Sequence, residues 1–284
     1  MLPYGWLIRL NRNRFHYERP SKDPVAYARW EFSEASRLWN RFFSGRISVT
    51  EKEVFDLGCG PGGKTCYLVT LGPRRVFGVD YIATLIREAE MASVYLLPPE
   101  DSIKLEFAVV DAADLPFPDA YFDLITCSDA FEHFPDPGKV LSEAARVLKY
   151  GGKMAIDFAQ WGSWNGHHLS DFFKTPWCHL MWSESQIIDA ISELTGNEKA
   201  KIKDEKDKII LDDLVSRRIE QFKNGLNHIS IAEFERLLAR ENRFKIVWRK
   251  RTSAHPILWP LIFIPGLREL FVARNVLILE RKVG

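Results

Sequence analysis

Apolar residues along this chain change their spacing at regular intervals, and the changes mark its elements. The runs EVFDL (53–57), RRVFGVD (74–80), SIKLEFAVVD (102–111), YFDLITCSD (121–129) and KMAIDFA (153–159) are short and rich in β-branched and aromatic residues, which predicts five strands, the first of them buried. Between them, KTCYLVTLG (64–72), YIATLIREAEMASVYLL (81–97) and KVLSEAARVLKYGG (139–152) carry helical spacing. In the second of these Ile82, Leu85, Ile86, Ala89 and Val94 share a face. In the third Val140, Leu141, Ala144, Val147 and Leu148 do, and Gly151 suits the position just past the helix end. An aromatic-rich helix is expected upstream over 23–43. The alternation stops at 159 and resumes near 230 with SIAEFERLLARENR, which has a Ser230 to Glu233 capping pattern, and with two more strands, FKIVWRKR and VARNVLILERKV. Strands alternating with amphipathic helices imply right-handed crossovers, and hence a doubly wound, mostly parallel α/β sheet of seven strands with its ligand at their carboxyl ends.

The gap in the alternation is too long for an ordinary loop and reads as a helical cap insertion. One helix is signalled by Ser183 to Gln186 followed by Ile187, Ile188, Ile191 and Leu194, and a second runs around Ile210 to Phe222. The stretch 198–208 is nearly all charge of mixed sign, which predicts a solvated, mobile segment. The chain is thus expected to divide into an N-terminal helical segment (1–50), a ligand-binding core (51–159), the cap (160–229) and a C-terminal completion of the sheet (230–284).

Composition narrows the class. With 284 residues, 46% of them hydrophobic, the chain can bury a full core, and its net charge of +1 gives no reason to expect nucleic acid as a partner. Cys59, Cys66, Cys127 and Cys178 show no C-x-x-C spacing and read as reduced cysteines of a cytoplasmic protein. The first fifteen residues lack a small-residue cleavage site, and no stretch reaches the ~20 apolar residues of a spanning helix.

The chemistry begins at VFDLGCGPGG (54–63). Glycines at alternate positions let a ligand lie against bare backbone, and Gly58, Gly60 and Gly63 even satisfy the dinucleotide pattern. Asp56 argues against a pyrophosphate there, because a carboxylate opposes the phosphates that such a loop holds with amide N–H groups. It suits a ligand with an ammonium group, or else tethers the loop. Asp80 ends the second strand, Asp111 ends the third in VVDAADLPFPDAYFD, and the fourth strand runs into SDAFEHF.

Together these features resemble the class I S-adenosylmethionine-dependent methyltransferases, in particular the group related to the quinone-biosynthesis methyltransferases. The resemblance is close over 52–159 and a matter of pattern over 230–284. It implies a Rossmann-like methyltransferase fold, S-adenosylmethionine as cofactor, and methyl transfer to oxygen of a small-molecule, glycan or lipid-linked acceptor, with N- or C-methylation as the alternative. It further implies that Asp56 serves the methionine ammonium through the loop, that Gly58 and Gly60 let the backbone approach, and that Asp80 with Tyr81 meets the ribose. Asp111 and Ala112 are then placed at the adenine, and Ser128 at the end of the fourth strand joins the cofactor set. An NAD-type oxidoreductase and a non-catalytic S-adenosylmethionine-binding protein are the rival classes.

The acceptor side rests on histidines. His133 follows the fourth strand, and WGSWNGHHLSDFFKTPWCHL (161–180) carries the pair His167 and His168, of which one at most faces any pocket because adjacent side chains diverge. Each is a candidate base; bonding within the cap is the plainer reading. Combining His179 with either member of the pair matches no metal spacing, so no metal is expected. Finally, HPILWPLIFIPGLRELFV (255–272) is more apolar than a surface connection should be. It either packs under the cap or against a second subunit, or, with Trp6, Leu7 and Ile8, forms a lipid-facing edge flanked by arginines, a peripheral membrane contact. The oligomeric state stays open.

Overall fold

The computed structural model describes residues 1–17, 23 and 25–283, so residues 18–22 and 24 of the N-terminal segment, Pro24 of the expected 23–43 helix among them, lie outside the described residues. The chain forms two compact units. The larger contains 21–158, 231–251 and 274–284; the smaller contains 1–20, 159–230 and 252–273. Residues 1–17 and 25–50 of the N-terminal segment expected as one piece fall in different units, and the connection 254–271 falls in the smaller unit with the insertion.

The larger unit is built on seven strands, β1 (Glu53–Leu57), β2 (Arg75–Asp80), β3 (Leu105–Val109), β4 (Phe122–Ser128), β5 (Leu148–Phe158), β6 (Phe244–Ser253) and β7 (Val272–Arg281). Their order is β3-β2-β1-β4-β5-β7-β6, with β1 parallel to β2 and β4, β2 to β3 and β4 to β5, and β7 antiparallel to β5. Chain direction reverses its sideways progress at β1, so the crevice beyond β1 and β4 is where a doubly wound sheet binds its ligand. Val54, Phe55 and Leu57 of β1 are fully buried, as a strand covered on both faces requires.

The aromatic phrase after β3 explains itself in three dimensions. Phe117 lies 5.3 Å from Phe55, 5.6 Å from Phe77 and 5.0 Å from Phe122, centroid to centroid and in each case edge to face. Arg146, on the helix Pro137–Val147, donates to the carbonyls of Leu115 (2.8 Å) and Phe117 (2.7 Å). The segment that carries Asp111 is thus pinned at its far end.

Two local expectations change. Gly151 is not a helix terminator: the helix ends at Val147, Leu148 is already extended, and Gly151 (φ +72°) lies inside β5 where the register to β4 slips between Phe122 and Leu124. A bulge needs the left-handed residue that the helix end did not use. The upstream helix covers Ala26–Leu38 and closes in a wide turn over Trp39–Phe43, whose rings cover Val54, Val76 and Leu124.

The smaller unit packs the helices Tyr4–Asn11, Cys178–Met181, Glu184–Lys199 and Glu205–Asn224 around Leu7, Ile8, Phe172, Phe173, Ile187 and Phe222. Ser183 and Gln186 form the expected capping box. The charged stretch 198–208 is the largely exposed junction of two helices: one ends at Lys199, residues 200–204 are the turn between them, and the next begins at Glu205, with opposite charges pairing at both ends, Lys208 with Glu205 (2.6 Å) and Lys199 with Asp212 (2.5 Å). Leu7 and Ile8 are 0% and 3% exposed, which removes them from the lipid-facing edge and leaves Trp6, at 58%, outside. Among the described residues no helix is long and apolar enough to cross a membrane.

Candidate active site

Beyond β1 the chain turns at Gly58, and the N–H groups of Gly58 and Cys59 both donate to the carbonyl of Val79 at 2.9 Å. Gly60 (φ +53°) borders open space: a Cβ built there would meet nothing within 4 Å. Its N–H donates to Asp80 Oδ2 (3.1 Å), while Asp80 Oδ1 accepts the N–H of Ile82 (2.9 Å). Asp80 therefore ties the glycine loop to the end of β2 and keeps a second lone pair on each oxygen for a ligand. Burial raises its pKa, the two N–H groups oppose that, and His133 acts on it in the same lowering sense, which places His133 in the carboxylate's field. Tyr81 stands 64% exposed beside it. At the end of β3, Asp111 is exposed with Oδ1 on the N–H of Ala113 (2.9 Å), and Ala112 is buried.

Asp56 lies beneath the glycine loop. It is 4% exposed and accepts from Thr65 Oγ1 and Thr126 Oγ1, each at 2.7 Å and one on each oxygen. Burial raises its pKa against those two hydroxyls. It anchors the helix Gly63–Val69 and β4 beneath the loop, so any service to an ammonium group runs through that loop.

Sequence reasoning missed a charged network at the end of β4. Lys64 Nζ donates to the carbonyl of Ser128 and to Asp129 Oδ2, both at 3.0 Å; Arg274 Nη2 meets Asp129 Oδ1 at 3.0 Å, and Arg274 Nη1 pairs with Asp157. The hydroxyl of Ser128 donates to Asp157, so this residue is part of the network. Burial alone would raise the Asp129 carboxyl, but the Lys64 ammonium and the Arg274 guanidinium hold it well below the usual range. Glu132 is pushed up to about 8, by burial first and Asp129 second. Glu31, from the helix Ala26–Leu38, is 6% exposed, accepts the N–H of Gly63 and is pushed up to about 7 by burial. The one available signal was a lysine directly after the glycine run, followed by an aspartate after β4. A cavity of about 40 Å³ lined by Trp39, Phe43, Asp56, Lys64 and Asp157 has room for water, not for a nucleoside.

The histidines separate. His167 is 1% exposed, and its Nδ1 accepts the N–H of Leu169 (2.9 Å), which fixes its proton on Nε2. Burial brings its pKa down to about 3, so it is neutral with its only lone pair in use, and His167 cannot act as a base. His179 Nε2 lies 2.7 Å from the carbonyl of Trp161, and its buried Nδ1 has no partner. Cys178 joins these two rings in a buried trio that the sequence spacing did not suggest, but the N–H on His167 Nδ1 opposes coordination through that ring. His168 is half-buried with φ +55°. All four cysteines are free and buried.

Residues 55–156 match the family model described as a methyltransferase domain. Over those residues, about a third of its length, the chain carries a methyltransferase domain. Over 144 residues it is 36% identical to the chloroplastic tocopherol O-methyltransferase of Arabidopsis thaliana, covering 49% of this chain and 37% of that protein. Over 116 residues it is 31% identical to a ubiquinone biosynthesis O-methyltransferase of Xanthomonas oryzae pv. oryzae, covering 40% of this chain and 46% of that one. The chain thus matches less than half the length of these relatives. In fold it is similar to an S-adenosylmethionine-dependent methyltransferase from Mesorhizobium loti, with a TM-score of 0.54 at 14% identity over 91% of this chain and 100% of that one. The methyltransferase domain fits its cofactor on its own geometry. Bare backbone at Gly60 borders open space beside a carboxylate suited to a diol.

Proposed function

We propose that this protein transfers a methyl group from S-adenosylmethionine to an oxygen of an apolar small-molecule acceptor. The observation that carries the reading is the Gly60–Asp80 pair, open backbone hydrogen-bonded to a strand-end carboxylate. When bound, the cofactor supplies a methyl group already activated on sulfur. The chain's own residues then have to position the acceptor and take up a proton. Asp80 would accept the ribose hydroxyls, and Asp111 with Ala112 would border the adenine. Two relatives are named as O-methyltransferases, one of tocopherol and one of ubiquinone biosynthesis, which supports O-methylation of an apolar acceptor. N- or C-methylation is the alternative.

Asp80→Ala is expected to weaken S-adenosylmethionine at least about tenfold in a folded protein, since charge-assisted hydrogen bonds contribute ~1.5 to 3 kcal/mol each. Calorimetry with S-adenosylmethionine and with NAD tests this. Unchanged affinity in the folded variant, or NAD binding in the parent, would sink the reading, and transfer of a labelled methyl group to phenolic acceptors tests the catalysis separately.

For the proton, the proposal is His133. A hydroxyl acceptor needs a base contributing ~10² to 10⁴ in rate, and an imidazole suits that near neutral pH. His133→Ala is expected to lower turnover by that factor and to weaken the cofactor several-fold, because it acts on Asp80. His167→Ala is expected to cost stability and leave the proton step alone. A fall in turnover confined to His168→Ala would move the base to that residue.

A further inference from the structure

Two segments of the smaller unit turn large apolar side chains outward. In the helix Tyr4–Asn11, a rotation of ~100° per residue sends Leu7, Ile8 and Asn11 into the core and brings Trp6 and Leu10 out on the opposite face. Trp6 is 58% and Leu10 44% exposed, and Leu2 just before the helix is 36% exposed. Asn11 shows how firmly the inner face is set: its amide donates to the carbonyl of Leu7 (2.8 Å) and to Thr175 Oγ1 (2.9 Å), and its Oδ1 accepts the N–H of Lys174 (2.9 Å). Trp6 and Leu10 have no such engagement and cannot rotate inward without breaking this one. The second segment is the 3₁₀ helix Pro256–Phe263 and the turn after it. Ile257 (77%), Trp259 (51%), Phe263 (64%) and Ile264 (45%) are exposed, with only Ile262 buried. Trp259 and Phe263 meet edge to face at 4.8 Å, so they form one protruding body.

Charge decides what such surfaces meet. Residues 1–17 contain Arg9, Arg12 and Arg14 and no Asp or Glu, and all three arginines are exposed. Arg12 pairs with Glu193 at 3.5 Å, both side chains remaining partly exposed. Residues 256–267 carry no charge at all. A tryptophan and a leucine on an outward helix face followed by arginines, with a separate uncharged aromatic knob, match an interface that is apolar just beneath a layer of anionic groups. A second copy joined about a twofold axis through the helix would set the same arginines against one another. The twelve residues 256–267 are well short of the ~20 needed to span a bilayer, so the fitting mode is shallow insertion.

We infer that the smaller unit docks on an anionic lipid surface through Trp6 and Leu10, the arginines beside them, and the Trp259–Phe263 knob. The inference goes beyond methyl transfer and is independent of it, so its test uses no cofactor and no acceptor. Full-length protein is sedimented with phosphatidylcholine vesicles with and without phosphatidylserine. The expected result is binding to the phosphatidylserine vesicles that weakens as salt is added. Trp259→Ser with Phe263→Ser is expected to lower the partition coefficient at least about tenfold, as is Trp6→Ser, and Arg9→Gln with Arg14→Gln to lower it only on anionic vesicles. These side chains are exposed, so thermal melts should match the parent, and quenching of tryptophan emission by brominated acyl chains reports insertion directly. Parent protein that stays in the supernatant, or binding untouched by every variant, overturns the proposal. A concentration-dependent dimer in light scattering that the same substitutions abolish overturns it in favour of a second copy.

Discussion

Arg274→Met is expected to lower the stability of the protein by about 3 to 5 kcal/mol, a large part of the ~5 to 15 kcal/mol that holds an ordinary domain folded. The side chain of Asp157 is 4% exposed, and Arg274 is its cationic partner. Asp129 would keep Lys64 and lose Arg274. Methionine fills the volume of the arginine stem, so the loss reports the stranded charge rather than a cavity. Adding Asp157→Leu should recover part of the loss, since an apolar pair can replace a buried ionic one. The pH dependence has a definite sign. Asp129 is held below its unfolded value of about 3.9, so its contribution is full above that pH and is lost as pH falls below it. Removing Arg274 lifts that pKa toward the ordinary value and makes the acid limb shallower. Glu132 is raised to about 8, so stability declines as pH rises from its unfolded value of about 4.3 toward 8. Arg274 opposes that rise, so its loss extends the decline to higher pH. Urea midpoints measured from about pH 2 to 9 should therefore show the maximum displaced toward acid. Parallel profiles for parent and variant would mean that these charges are not coupled.

Gly58→Ala should be nearly as damaging, for a reason of backbone and space. Gly58 has φ +76°, which a residue with a Cβ adopts at a cost of about 1 to 2 kcal/mol. The added Cβ would lie 2.6 Å from the Cβ of Ala130 and 3.4 Å from Phe134, both buried, and overpacking a site of that kind costs about 1 to 3 kcal/mol. Together these predict a loss of ~2 to 5 kcal/mol in a urea titration, with cofactor affinity falling as the loop shifts off the carbonyl of Val79. Gly60→Ala is the informative contrast. Its φ is +53° but nothing stands within 4 Å, so it should cost only the ~1 kcal/mol or so of a left-handed residue while weakening the cofactor as strongly. If Gly60→Ala binds S-adenosylmethionine as the parent does, the open space beside it is not the cofactor site.

What the sequence by itself determined is local or repeats with a short period. All seven strands lie where the apolar runs predicted them; β1 and β4 are buried along nearly their whole length and need nothing beyond their own side chains to declare them, while β3 and β6, largely exposed, are marked by β-branched and aromatic content and by their place in the alternation. Asp80 and Asp111 were placed at strand ends by the same alternation, and the glycine loop by composition alone. Tertiary structure decided whatever depends on partners distant in the chain. Arg274 reaches Asp157 across 117 positions, and neither residue differs in pattern from an exposed one. Asp56 reads as a free carboxylate until Thr126, 70 positions on, takes one of its oxygens. His167 looked like a base until the N–H of Leu169 claimed its lone pair. The first helix is the plainest case, because Trp6 and Leu10 on one face and Leu7 and Ile8 on the other are equally apolar. Periodicity cannot choose between two apolar faces; the choice fell to the polar one among them, Asn11, whose three hydrogen bonds exist only inside the core.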